Sequence, residues 1–119
     1  MNELVARTVN ELVARTVKAV CSVLSRHFYP IQVETDAVLR KNERGTRATR
    51  LARQLVLYTL HDICGCSHGE ISSAVGISKR NVMRSVSLMR GVWDVWPEHE
   101  GLIDDIRLEL MREVWDMMC

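Results

Sequence analysis

Lys79, Arg80, Asn81 and Arg84 place four hydrogen-bonding side chains within six residues, directly after Ser78 and with no acidic residue among them. An arginine presents a planar fork of N–H groups, and an asparagine amide both donates and accepts. Such a set recognises planar polar edges and anionic groups; it does not break bonds. It works only if a rigid element aims it.

The flanking residues supply that element. Ser67 and Glu70 have the S-x-x-E spacing of a capping box, in which hydroxyl and carboxylate each take one orphan amide at a helix start. Ile71, Ala74 and Val75 then give one apolar face at helical spacing. Gly76 stands where a tight turn needs a residue without a Cβ penalty, Ile77 can plug the core, and Ser78 is a good second N-cap. Val82, Val86 and Met89 keep the next helix packed inward, which turns Lys79, Arg80, Asn81 and Arg84 outward. Residues 67–90 therefore read as a helix-turn-helix, the motif that presents the start of its second helix to the DNA major groove. The alternative is a two-helix corner of an ordinary helical domain with a solvated basic face.

Charge is uneven along the chain. Residues 1–39 are neutral, with four basic and four acidic side chains. Residues 40–90 carry ten basic side chains (Arg40, Lys41, Arg44, Arg47, Arg50, Arg53, Lys79, Arg80, Arg84, Arg90) against Glu43, Asp62 and Glu70, a net +7. Residues 91–119 carry eight acidic side chains against Arg107 and Arg112, a net −6. The overall +1 thus hides a polarised molecule. A basic middle suits a polyanion, because lysine and arginine displace the counterions condensed on DNA. The acidic end, with Asp104, Asp105, Glu109 and Glu113, is expected to face away from phosphates, or simply to be a solvated face of opposite sign.

At 119 residues the chain is expected to be one domain with a single core. No apolar run is long enough to span a bilayer, and the N-terminus lacks the pattern of a secretion signal. Cys21, Cys64, Cys66 and Cys119 have no framework spacing, which points to reduced thiols and a cytoplasmic, nucleoid-associated protein. His61, Cys64, Cys66 and His68 crowd together, but the pair is C-x-C and no second ligand pair follows, so no metal is expected. No G-x-x-x-x-G-K-[ST] loop is present, and no nucleophile, base and orienter come together, so neither a cofactor nor catalysis is expected. The four histidines (His27, His61, His68, His99) fall on caps and helix ends.

Helices are expected almost throughout. Val5, Val9, Val13, Val17, Val20, Leu24 and Phe28 recur three or four apart and predict a long first helix over residues 2–28. It contains a repeat: residues 2–9, Asn-Glu-Leu-Val-Ala-Arg-Thr-Val, recur unchanged at 10–17. Eight residues rotate a helix by two turns plus about 80°, so the copies cannot show one partner the same face. A short duplication in the gene, or a cloning scar, explains the repeat better than function does. Tyr29-Pro30 breaks the helix. A short helix is expected around 35–39 and a polar, flexible stretch over 41–46. A continuous helix is expected over 47–64, with Leu51, Leu55, Tyr58, Leu60 and Ile63 inward, ending at Gly65. Trp96-Pro97 marks the next boundary. A last, acidic helix over 98–118 carries Leu102, Ile103, Ile106, Leu110, Val114 and Met117. The expected fold is all-α, about five or six helices around a helix-turn-helix, with residues 47–92 as its DNA-binding core.

Arg50-Leu-Ala-Arg-Gln-Leu-Val-Leu-Tyr-Thr-Leu60, followed by Ser67-His-Gly-Glu-Ile71, resembles the C-terminal DNA-binding domain of the bacterial replication initiator DnaA, which is Trp-repressor-like. In that family an arginine-rich helix containing Ala-Arg-Gln leads, at the same interval, into the helix-turn-helix. The resemblance extends from about residue 17 to about residue 114 and implies a stand-alone version without the ATPase module. It implies that Arg47, seven before Gln54, enters a minor groove, and that His61 lies near the phosphates. With Arg50, Ser67, Ser78, Lys79, Arg80, Asn81 and Arg84, these make up the expected DNA-binding set. The family reads its box with Gly-Gly-Arg-Asp-His-Thr-Thr. This chain has Gly76-Ile-Ser-Lys-Arg-Asn81, one residue shorter, so a different sequence is expected to be read.

Three functional classes remain open. One is a sequence-specific, double-stranded DNA-binding transcription regulator of bacterial or phage origin, acting with a partner. A second is an accessory replication or origin-binding factor. A third is a protein-interaction module. Trp93, Trp96, Met111, Trp115, Met117, Met118 and Cys119 either close the core or dock RNA polymerase, a sigma-like factor or self through the C-terminal helix.

Overall fold

A computed structural model describes residues 3–28, 33–39, 47–95 and 100–118, with side chains described for 8–28, 33–35, 37–39, 47–92 and 101–115. The expected breaks at Tyr29-Pro30 and Trp96-Pro97, the stretch 41–46, and the side chains of Trp93, Trp96, Met117, Met118 and Cys119 lie outside these residues.

The apolar ladder of the N-terminal segment forms α1 (Glu3–His27). Val9, Val13, Val17, Val20 and Leu24 are all buried, because a spacing of three and four keeps them on one side of the helix. That side is the spine of the molecule. The short α2 (Thr35–Val38), α3 (Arg47–Tyr58) and α4 (His68–Val75) pack against α1, as does α6 (Glu100–Met118). The remaining helix, α5 (Lys79–Val95), packs on α3 and α4. The described residues are all-α, with no strand among them, as the periodicities predict. Among the described residues no helix is long and apolar enough to cross a membrane.

The core is continuous across these contacts. Leu24, Val38, Leu55, Leu57, Leu60, Ile71, Val82, Val86 and Ile106 are fully buried and come from every one of the six helices or the turn beside them. Burying a residue of this kind contributes about 1.5–3 kcal/mol, so each helix is anchored by at least one side chain that cannot leave without cost. Ser25 Oγ accepts the Val33 amide at 3.2 Å, and Arg53 Nε donates to the Val38 carbonyl at 2.7 Å. These bonds fix α2 between α1 and α3.

The helix expected over 47–64 is not uniform. Its α-helical part ends at Tyr58, and Thr59–Ile63 forms a π-helical turn. The Cys64 amide reaches back five residues to the Thr59 carbonyl at 2.9 Å, and the Cys66 amide reaches the Leu60 carbonyl at 2.9 Å. The sequence expectation is therefore corrected: one extra residue is accommodated in the last turn. Gly65, at φ 78°, ends the element as expected.

The acidic segment also needs correction. Glu113 is buried and lies between Arg15 at 3.2 Å and Lys18 at 3.5 Å on α1. Glu109 meets Arg26 at 3.4 Å, and Asp105 meets His27 at 2.7 Å. Three of the four acids expected on an outward, solvated face instead line the antiparallel seam between α6 and α1. The reason is electrostatic: Arg15, Lys18, Arg26 and His27 lie on the side of α1 where α6 docks.

Candidate nucleic-acid interface

The first helix of the pair begins as the capping box requires. The Ser67 amide donates to Glu70 Oε1 at 2.9 Å, and the Glu70 amide donates to Ser67 Oγ at 3.1 Å. The Ser67 amide, and secondly its hydroxyl, hold the Glu70 carboxyl below its ordinary value. Ile71 then drops into the core. The exit is Gly76 in the left-handed region, at φ 79° and ψ 24°, with its amide bonded to the Ser72 carbonyl at 2.9 Å. Ser72 Oγ donates to the Ile77 carbonyl at 2.6 Å, and partly buried Ile77 packs on the core. Three residues, Gly76, Ile77 and Ser78, thus join α4 to α5.

Ser78 caps α5 by accepting the Asn81 amide at 3.2 Å. Val82, Val86 and Met89 are buried, which fixes the rotation of the helix. Lys79, Arg80, Asn81 and Arg84 are all exposed, as expected, and no acid lies in the first turn. Arg80, Arg84, Ser87 and Gly91, spaced by four, three and four, run along the outward ridge, and all four are exposed. The positive end of the helix dipole adds to the same field. A polyanion approaching this end meets cations and amide donors, with no carboxylate in the first turn of the helix.

Beside the ridge, α3 and α5 enclose an open cleft of about 610 Å³. Arg50 and Gln54 on α3 face Ser78, Asn81 and Ser85 across it. Of the expected set, the cleft brings together Arg50, Ser78 and Asn81. Arg47 is exposed at the first residue of α3, and its stem borders a small apolar pocket with Leu24, Phe28, Val33, Ala48 and Leu51.

His61 and Ser67 sit elsewhere, at the corner between α3 and α4. His61 Nδ1 lies 2.8 Å from the Cys66 carbonyl, and its ring stacks on His68 with centroids 4.0 Å apart. Partial burial and the neighbouring His61 lower the His68 pKa. Burial pushes the Cys64 thiol up to about 11, with Cys66 adding and Thr16 opposing, and pushes Cys21 to about 11. Those thiols stay protonated near neutrality. No three His, Cys, Asp or Glu side chains among the described residues are placed to hold a metal.

Among the described middle-region cations, two are already engaged by the protein itself. Arg53 is held by the Val38 carbonyl, and Arg90 grips Asp62 with Nε–Oδ2 at 2.8 Å and Nη2–Oδ1 at 2.6 Å. Sequence reasoning missed these commitments because both partners lie far away along the chain. It also missed Met83 and Leu88, which are 46% and 50% exposed on α5. The periodicity that placed Val82 and Val86 inward already put both of them outside the buried stripe.

Comparison with protein-family models, curated proteins and solved structures finds no match.

Proposed function

We propose that this chain is a sequence-specific double-stranded DNA-binding protein, acting as a transcription regulator with a partner, and that α4 and α5 are its helix-turn-helix. One observation carries the reading: Lys79, Arg80, Asn81 and Arg84 project from the start of a helix whose rotation is fixed by Val82, Val86 and Met89. An α-helix fits the major groove, and its N-terminal residues reach base edges there. Arg80 suits the two acceptors of guanine, and Asn81 suits the donor–acceptor pair of adenine. Lys79, Arg84 and Arg50 suit phosphate, and Arg47, at the outer end of α3, suits an adjacent minor groove. The arrangement also agrees with the resemblance to the DnaA C-terminal domain, in which an arginine-rich helix precedes the motif.

The test is selection of bound duplexes from a random pool, followed by titration of the selected site at two salt concentrations. An enriched sequence whose affinity falls steeply with salt supports the proposal. A pool that stays random, or an affinity that ignores salt, overturns it.

A further inference from the structure

Half of α6 is accounted for by α1, and the other half is not. Leu102, Ile103, Ile106 and Leu110 are buried, whereas Leu108, Met111 and Trp115 are 57%, 67% and 67% exposed. The exposed three recur by three and four residues and so share one face of the helix. The expectation that Met111 and Trp115 simply close the core is thereby corrected. So much exposed apolar surface on one helix face marks an interaction site rather than chance.

The residues around that face have an internal symmetry. Counting from Leu108, Asp104 lies four positions before and Arg112 four positions after, and both are exposed. Gly101 lies seven before and Trp115 seven after, and a Cβ added to Gly101 would meet nothing within 4 Å. We propose that this face pairs antiparallel with the same face of a second copy of the chain, about a two-fold axis near Leu108. The two Leu108 side chains then meet at the centre. Each Asp104 reaches the level of Arg112 of the other copy, and each Trp115 indole lies over the bare backbone at Gly101 of the other copy. A parallel pair would instead set Asp104 against Asp104 and Trp115 against Trp115. Arg112 already touches Glu109 at 3.7 Å on its own helix, but its side chain is 74% exposed, and an exposed pair of this kind holds it only weakly. An isologous contact of this kind is the commonest way for a chain to form a dimer. The inference goes beyond the DNA-binding reading and does not depend on it.

The experiment is sedimentation equilibrium of the full chain over a wide concentration range, without DNA. A monomer–dimer equilibrium is expected, and Leu108→Glu or Trp115→Ala should weaken it about tenfold or more. Asp104→Arg alone should also weaken it, and adding Arg112→Asp should restore it, because the reversed charges again oppose one another across the axis. If Leu108→Glu fails to fold by circular dichroism, Met111→Glu serves in its place. A strictly monomeric chain overturns the proposal, as does a dimer indifferent to these variants. A dimer that the double reversal does not restore overturns the antiparallel register. If the chain stays monomeric while the α6 variants abolish reporter activation, the face belongs to a different protein and the self-pairing is wrong.

Discussion

Arg90 on α5 grips Asp62 of the π-helical turn through two of its three guanidinium nitrogens, Nε at 2.8 Å and Nη2 at 2.6 Å. The pair joins the helix that carries the outward cations to the element that precedes α4. Its hydrogen bond, helped by the Arg90 charge and opposed by partial burial, holds the Asp62 carboxyl below its ordinary value.

That depression gives a pH prediction. A carboxyl whose folded pKa is lowered stabilises the fold above its unfolded pKa, and the contribution is lost as pH falls through the folded value. The wild-type Tm should therefore drop on acidification below the usual carboxylate range. Asp62→Asn should lower Tm at neutral pH and flatten part of that acid slope. An unchanged acid slope in thermal denaturation scans would remove the pair from any account of stability.

The same geometry separates cations proposed to hold DNA from cations that hold the protein. Lys79→Ala and Arg84→Ala should each reduce the slope of log affinity against log salt by about 1, as loss of one phosphate contact does. Arg90→Ala should lower Tm and leave that slope unchanged. Titrations at several salt concentrations check this, and a slope that falls with Arg90→Ala contradicts it.

Base reading and backbone holding should also come apart. Arg80→Ala and Asn81→Ala are expected to relax preference at particular base pairs, each losing about 1–3 kcal/mol of discrimination. Arg47→Ala should weaken binding more generally, with the largest loss on A·T-rich flanks, where the minor groove is narrow. Competition against a panel of single-base changes distinguishes them. Equal weakening on every sequence by Arg80→Ala and Asn81→Ala would mean that α5 does not lie in the groove.

The turn itself can be tested. Gly76 sits at φ 79°, where a side chain costs about 1–2 kcal/mol. Gly76→Ala should lower stability by that amount, and Ser67→Ala should lower it by about 1 kcal/mol through loss of the cap. Denaturant titration measures both. No loss with Gly76→Ala would mean that the turn can relax and does not fix the approach of α5.

Glu113, at the seam between α6 and α1, gives a further prediction. Removing its bonds to Arg15 and Lys18 by Glu113→Ala should cost about 1–3 kcal/mol. Specific DNA affinity of the folded variant should be unchanged. A variant as stable as wild type would show that the α1–α6 seam is held by its apolar residues alone.

How much of this was legible in the sequence differs by element. Local rules sufficed for α1, for the Ser67–Glu70 cap, for Gly76 and for the rotation of α5, because each depends on residues within a turn or two of one another. The α1–α6 ion pairs span 78 to 98 residues along the chain, so no local pattern announces them. The acidic residues of α6 therefore read as a solvated face until α1 was laid beside them. Nothing near Arg53 or Arg90 in the sequence marks the Val38 carbonyl or Asp62 as a partner, for the same reason. The π-helical turn was illegible because its extra residue is accommodated by contacts that α4 and α5 supply.

That turn has a consequence for how the chain can vary in length. A wide turn absorbs a single inserted residue without re-registering the helix on either side of it. Here it lets two consecutive side chains serve different neighbours, His61 stacking on His68 of α4 and Asp62 meeting Arg90 of α5. A version of the chain one residue shorter within 59–63 could regain an ordinary helical pitch and keep both α3 and the Gly65 corner. It would have to forgo one of the two anchors. Single-residue insertions and deletions in natural variants should therefore gather at this turn, accompanied by change at His68 or Arg90.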